Sequence, residues 1–189
     1  VHTDFYRLSE DLDFVIPTPV EAKRSKRSKQ AKGLKEIVAA LPRHLPVFRM
    51  VKPLKGSNDC TQYNAIINYL SMFGEPEGII KIEVGLREPL LKDILNGLAR
   101  TLLLNPVSGQ PLVLPVNVDC LSKVEAYAEK FRAAMTRQKV AIRDFYDIDY
   151  ADRKQEVHPQ EEEFIALLKQ KLKVRRTDPV NVSEARRTA

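Results

Sequence analysis

Cysteine and histidine are scarce in this chain of 189 residues and tryptophan is absent: it has two Cys, three His and no Trp. Cys60 and Cys120 lack a CxxC spacing and are too few for a disulfide framework, which argues against zinc and redox chemistry and makes a reducing cytoplasm the expected compartment. His2, His44 and His158 lie far apart with no metal-ligand spacing, so they read as ordinary surface histidines, and no Ser-His-Asp arrangement can be built. Long apolar runs are missing too. No stretch approaches the roughly 18 residues a membrane helix needs, and no charged start leads into an apolar core, so neither a membrane protein nor a signal peptide is expected. The sequence opens on Val1 rather than Met, and the native start is expected upstream.

What is present describes a globular protein. Hydrophobic residues make up 43% and charged residues 30%, and the length suits one domain, or one with a helical appendage. The net charge of +6 favours polyanionic partners such as nucleic acid or nucleotides. Much of the excess is concentrated in EAKRSKRSKQAKGLK, where Lys23, Arg24, Lys26 and Arg27 are the candidate nucleic-acid contacts and Lys29, Lys32 and Lys35 follow. A solvated helix face is the competing reading of that run.

Periodicity divides the chain into an α+β core and a helical end. SEDLDFVI alternates as a strand, with Leu12 expected to anchor it in the core, and the spacing of Leu34, Ile37, Val38 and Leu41 predicts a helix over about residues 20 to 41, ending before Pro42. PVFRMVKPL, TQYNAIINYLSMF and IIKIEVGLRE then read as an antiparallel meander, with Gly56 and Ser57 assigned to a turn and Tyr63, Tyr69 and Phe73 to core or cross-strand packing. A short helix is expected around LLKDILNGLA, followed by a hairpin turning at Ser108 to Gln110. Ser122 and Glu125 have capping-box spacing at the start of a helix that carries Lys130. AIRDFYDIDYADR places Asp144 and Asp147 one turn apart, and EEEFIALLKQKLKV reads as a last amphipathic helix.

The chemistry is carried by carboxylates. Side chains two apart on a strand point the same way, so Asp11 and Asp13 can face a hard cation together. Glu83 lies on a second strand, on the polar face it shares with Lys81 and Arg87, and is the natural third acid. Nucleotidyl transfer uses magnesium, or manganese in its place, to bind triphosphate oxygens and lower the barrier to in-line attack. Alone, a DxD pair is also what an exposed strand end looks like.

Taken together, these residues resemble the nucleotidyl transferase AbiEii/AbiGii toxin family, whose members carry an R-x-S-x-D-x-D-[FL] strand, here Arg7, Ser9, Asp11, Asp13 and Phe14. The resemblance continues at IKIEVGLREP and at EAYAEKFRAAMTRQKVAIRDFYDIDY, in the same order and at similar spacing. It implies a DNA polymerase β-type sheet with flanking helices over residues 1–120, a helical part over 121–174, and a tail at 175–189 expected to be mobile. It further implies Asp11, Asp13 and Glu83 as metal ligands, Lys130 on triphosphate oxygens, and either Asp144 or Asp147 as a further acid needed for activity. Ser9, Lys81 and Arg87 complete the nucleotide-binding candidates.

The implied function is Mg-dependent transfer of a nucleotide from a nucleoside triphosphate to an acceptor, with transfer RNA the acceptor expected. A cognate antitoxin protein is the implied partner. In this superfamily a Gly-Ser or Gly-Gly turn before the DxD strand grips the triphosphate, and it is expected upstream of Val1. Two alternatives stay open. One is a nucleic-acid- or partner-binding module of the same fold without turnover; the other is a nucleotidyltransferase acting on a small molecule.

Overall fold

A computed structural model describes residues 11–70, 77–99, 101, 103–137, 141–154 and 156–175. The chain divides into two compact units at Pro89/Leu90. None of the helices among the described residues is long and apolar enough to cross a membrane.

The unit up to Pro89 holds β1 (Asp11–Val15), α1 (Arg24–Gln30), α2 (Lys32–His44), β2 (Phe48–Ser57), β3 (Gln62–Tyr69) and β4 (Gly78–Gly85). Its four strands form one mixed sheet in the order β1-β4-β3-β2, with β1 parallel to β4 and the other pairs antiparallel. The expected meander is therefore β2 to β4, and β1 joins it as a parallel edge. Alternation decides the two faces. Tyr63, Ala65 and Ile67 of β3 and Ile82 and Val84 of β4 pack with Leu54, Ala31 and Val38 into the core, while the intervening residues stay on the opposite face.

Several local expectations change. The single helix over 20 to 41 is two helices joined at the fully buried Ala31, and α2 runs through Pro42 to His44. Pro42 gives up the amide bond to the Val38 carbonyl, but the helix continues past it, and the Leu45 amide still reaches the Leu41 carbonyl at 2.8 Å. Gly56 and Ser57 are strand residues opposite Tyr63 and Gln62; the turn is made by Asn58, Asp59 and Cys60, all at positive φ. Gly56 has a packing reason to be glycine, since a Cβ there would lie 2.9 Å from the Tyr63 ring. Leu12 does not anchor β1: it is 46% exposed, because β1 is an edge strand and α2 packs over β2. Tyr63 packs in the core and Tyr69 packs cross-strand, its partner being Phe48 with ring centroids 6.4 Å apart; Phe73 lies outside the described residues.

The unit from Leu90 holds β5 (Leu95–Ala99), β6 (Val116–Cys120), α3 (Lys123–Thr136), α4 (Ile142–Lys154) and α5 (Glu162–Arg175). The helix expected at LLKDILNGLA is instead strand β5, antiparallel to β6. Gly97 weakens the last turn of such a helix, and the β-branched VNVDC segment offers a partner strand, so tertiary pairing overrides local propensity. The connecting turn falls at Pro106–Ser108, where the Asn105 carboxamide accepts from the Val107 and Ser108 amides at 2.9 and 3.0 Å, and Gly109 adopts φ +68°. The compact unit that begins at Leu90 groups segment 90–120 with the three helices. Its core joins Tyr127 and Ala128 of α3, Ala151 of α4 and Phe164 and Leu167 of α5, with Phe131 edge-on to Phe164 at 5.3 Å. Residues 176–189, read as a mobile tail, lie outside the described residues.

Candidate active site

The register of the mixed sheet assembles the acidic residues. Parallel pairing sets Asp11 beside Lys81 and Asp13 beside Glu83. Paired residues of adjacent strands point to the same face, about 4.8 Å apart in the sheet, so the three acids share the face opposite the helices. Two rows cross that face. One runs Asp13, Glu83, Asn64, Lys55, and the other Asp11, Lys81, Ile66, Lys52, from an acidic edge at β1 to a basic edge at β2. Asp13 and Lys81 are exposed, and Asp11 and Glu83 half-buried. Arg87 returns to the same face by hydrogen bonding the Gln62 side chain, which stands opposite Gly85.

All three acids are hard oxygen donors suited to magnesium, and Asp13 and Glu83 are immediate neighbours. Among the described residues no group of three or more His, Cys, Asp or Glu side chains is gathered closely enough to hold a metal ion. Magnesium does not require such a cage: it is commonly held by one or two carboxylates together with substrate phosphates and water. The donor set therefore fits the ion, with Asp13 and Glu83 as the adjacent pair and Asp11 one step along the strand.

The helical candidates resolve into two separate pairs. Lys130 of α3 is ion-paired with Asp147 of α4, whose side chain is completely buried. Asp144, also buried, is ion-paired with Arg137. Of the two aspartates, Asp147 pairs with Lys130 and Asp144 with Arg137. Lys130 remains partly exposed, with 27% of its side chain accessible.

Of the basic candidates, Lys23, Arg24 and Lys26 are exposed on α1 or its cap. Arg27 is not on that face. It is 8% exposed and donates to the Leu86 carbonyl at 3.2 Å and the Val20 carbonyl at 2.7 Å, fastening α1 to the end of β4. Its role is structural, because a helix turns one residue in three or four inward whatever its charge. Ser9 lies outside the described residues.

The profile of the family described as nucleotidyl transferase AbiEii toxin, Type IV TA system, matches residues 1–188. The chain belongs to the AbiEii family. No curated protein matches it. Two crystal structures from Helicobacter pylori are similar to it. JHP933 is 16% identical with a TM-score of 0.49, over 91% of this chain and 61% of that one. The other, named as a candidate nucleotidyltransferase, is 16% identical with a TM-score of 0.48, over 90% and 62%. This AbiEii-family chain thus spans less than two thirds of the length of either structure.

The sequence reading also missed residues. Glu125 looked like the second half of a capping box, and Ser122 does accept from its amide at 3.2 Å. The carboxylate itself goes elsewhere. Fully buried, it accepts from the Leu91 and Lys92 amides at 3.0 and 2.9 Å and pairs with the buried Lys171 at 2.7 Å. Nothing local signals that use, since its partners lie more than thirty residues away in sequence.

Proposed function

We propose that this chain carries the catalytic residues of a metal-dependent nucleotidyltransferase toxin that transfers a nucleotide from a nucleoside triphosphate to an RNA acceptor, with transfer RNA the acceptor of choice. The observation that carries the reading is the β1–β4 register, which sets Asp13 beside Glu83 and Asp11 beside Lys81 on one open face. Family membership supports the reaction class. The net charge of +6 and the basic α1–α2 segment support a polyanionic acceptor.

In this reading an acceptor hydroxyl attacks the α-phosphorus, an O–P bond forms there, the α–β bridge breaks, and pyrophosphate leaves while the hydroxyl proton passes to solvent. Magnesium held by Asp11, Asp13 and Glu83 would supply charge neutralisation of the triphosphate. Lys81, exposed on the same face, offers a second cation to phosphate oxygens, and Arg87 is kept on that face by Gln62. The family resemblance adds Lys130, ion-paired with the buried Asp147, as a proposed contact of triphosphate oxygens. A separate antitoxin protein restrains the activity in the cell.

The test is incubation of the full-length protein with labelled nucleoside triphosphates, magnesium and total RNA, alongside the Asp11→Asn/Asp13→Asn variant. Metal-dependent label on RNA, absent from the variant, is the expected result. Label on small molecules only would move the acceptor class. No transfer to any acceptor, with RNA binding intact, would favour a binding module without turnover.

A further inference from the structure

The basic run folds into parts with different surroundings. Arg27 turns inward, whereas Lys29, Lys32 and Lys35, together with Ser25 and Ser28, line one open cleft of about 470 Å3. Every lining residue carries a side-chain donor: three ammoniums and two hydroxyls, with no carboxylate among them. Positions 25, 28, 29, 32 and 35 follow helical spacing, so the donors form a stripe about 15 Å long at 1.5 Å per residue. The junction between the helices keeps that stripe in phase. Ala31 is right-handed (φ −78°, ψ −6°), its amide bonds to the Arg27 carbonyl and its carbonyl accepts from the Lys35 amide, each at 3.0 Å.

One lysine of the stripe stands over an aromatic side chain of the sheet. Lys35 Nζ stands 4.8 Å from the centre of the Tyr63 ring. The Tyr63 hydroxyl is completely buried beside Ser28 and Cys60, without a well-aligned hydrogen bond to either. That hydroxyl, and after it Arg24 and Lys35, hold the Cys60 thiol below its ordinary range against the opposing effect of burial. Among the described residues the acid paired with a lining residue is Glu36, 3.9 Å from Lys32, with both side chains exposed and hence weakly coupled.

We propose that this cleft binds consecutive backbone phosphates of a nucleic-acid strand, and that it holds the RNA acceptor of the reaction proposed above. The shape favours a strand over a compact anion. The three ammoniums are spread over about 9 Å of helix, longer than a single phosphate, whereas a strand repeats its charge along its length. The donors are side chains on helix flanks rather than converging backbone amides, the arrangement suited to positioning a backbone without reading its sequence. The acceptor's identity rests on the transferase reading; the binding itself does not.

Fluorescence anisotropy of a labelled single-stranded RNA, titrated with full-length protein at several salt concentrations, tests this without requiring turnover. The Lys29→Ala/Lys32→Ala/Lys35→Ala variant should weaken binding about tenfold and lower the slope of log K against log salt by about 2, the loss expected for three phosphate contacts on a single strand. Lys154→Ala/Lys169→Ala/Lys173→Ala removes the same charge from exposed positions of α4 and α5 and should shift binding less than about twofold. A Lys29→Gln/Lys32→Gln variant keeps Lys35 on Tyr63 and should show an intermediate loss with unchanged thermal unfolding. Equal weakening by the two triple variants would overturn the proposal, leaving general electrostatics. So would inorganic phosphate or nucleoside triphosphate whose binding, rather than that of RNA, is lost with the cleft lysines. RNA binding that survives Asp11→Asn/Asp13→Asn while transfer fails in the wild type would sink the transferase reading and leave the cleft standing.

Discussion

The two units of this chain treat charge in opposite ways. Up to Pro89 the interior is apolar apart from a few anchors such as Thr18 and Arg27, and the carboxylates and lysines of interest occupy an open sheet face or a helix flank. From Leu90 onward the charges go inside: Glu125 and Asp147 are fully buried, and Lys171, Asp144 and Arg132 are at most 6% exposed. Burying an ion costs free energy that only a well-placed partner offsets, so buried charges are tied to the fold. Exposed charges make little difference to folding and remain available to ligands. The same residue types should therefore give opposite phenotypes on the two sides of Pro89, and that contrast can be attacked directly.

The largest effect is expected on the open face. Asp11→Asn/Asp13→Asn removes the proposed ligands of a metal ion, which in nucleotidyl transfer is worth several kcal/mol in the transition state, so the transfer rate should fall about a thousandfold while the thermal midpoint hardly moves. A large fall in the midpoint would mean that these acids hold the fold, and the contrast would fail. The mirror experiment lies across the boundary. Lys171→Met leaves Glu125 buried without its ammonium and should cost about 3–5 kcal/mol in urea unfolding, with specific activity per folded molecule preserved. Glu125→Gln/Lys171→Met, which neutralises both partners, should recover part of that loss; a double variant no better than the single would show that the pair is not the unit of stability.

Lys130 and Asp147 sit where the contrast is sharpest, one partner partly exposed and the other buried. Lys130→Ala is expected to raise KM for the nucleoside triphosphate by about tenfold, the loss of one charge-assisted contact, and Asp147→Asn to raise it less while also lowering stability. Asp144→Asn, which disturbs the Arg137 pair, should lower stability with KM unchanged. If Asp144→Asn moved KM and Asp147→Asn did not, the assignment of roles on α4 would be reversed.

How much of this was legible in the sequence follows the same division. Period-2 alternation placed Asp11, Asp13 and Glu83 on polar faces because a strand's two faces are fixed by local geometry. The parallel register that pairs Asp13 with Glu83 was not local, and only the folded sheet supplies it. Lys130 and Asp147 were singled out by resemblance, but their pairing over Asp144 depends on how α3 meets α4. Glu125 and Arg27 were misread for one reason: each bonds backbone groups far along the chain, Leu91 and Lys92 for Glu125 and Leu86 for Arg27, and no spacing rule encodes such contacts. Leu12 failed differently, since alternation assigns a face but not whether a helix covers it.

The smallest predicted effect concerns Cys60, where surface charge acts on a side chain without holding the fold. The Tyr63 hydroxyl, followed by Arg24 and Lys35, favours the thiolate, and burial opposes them. Since the thiolate is the nucleophile, alkylation of Cys60 by iodoacetamide, measured in a Cys120→Ser background, should reach half its limiting rate at a lower pH than free cysteine. The sign follows from the order of causes: a depressed thiol loses its proton earlier as pH rises, so the rate profile moves left. Tyr63→Phe removes the leading cause and should move the midpoint up by more than Lys35→Met does. Salt should also move it up, because partly exposed charges are screened within about 10 Å at 0.1 M. A midpoint indifferent to both salt and Lys35→Met would mean that the charges around the cleft do not act through their field, and the contrast between open and buried charge would lose its clearest local instance.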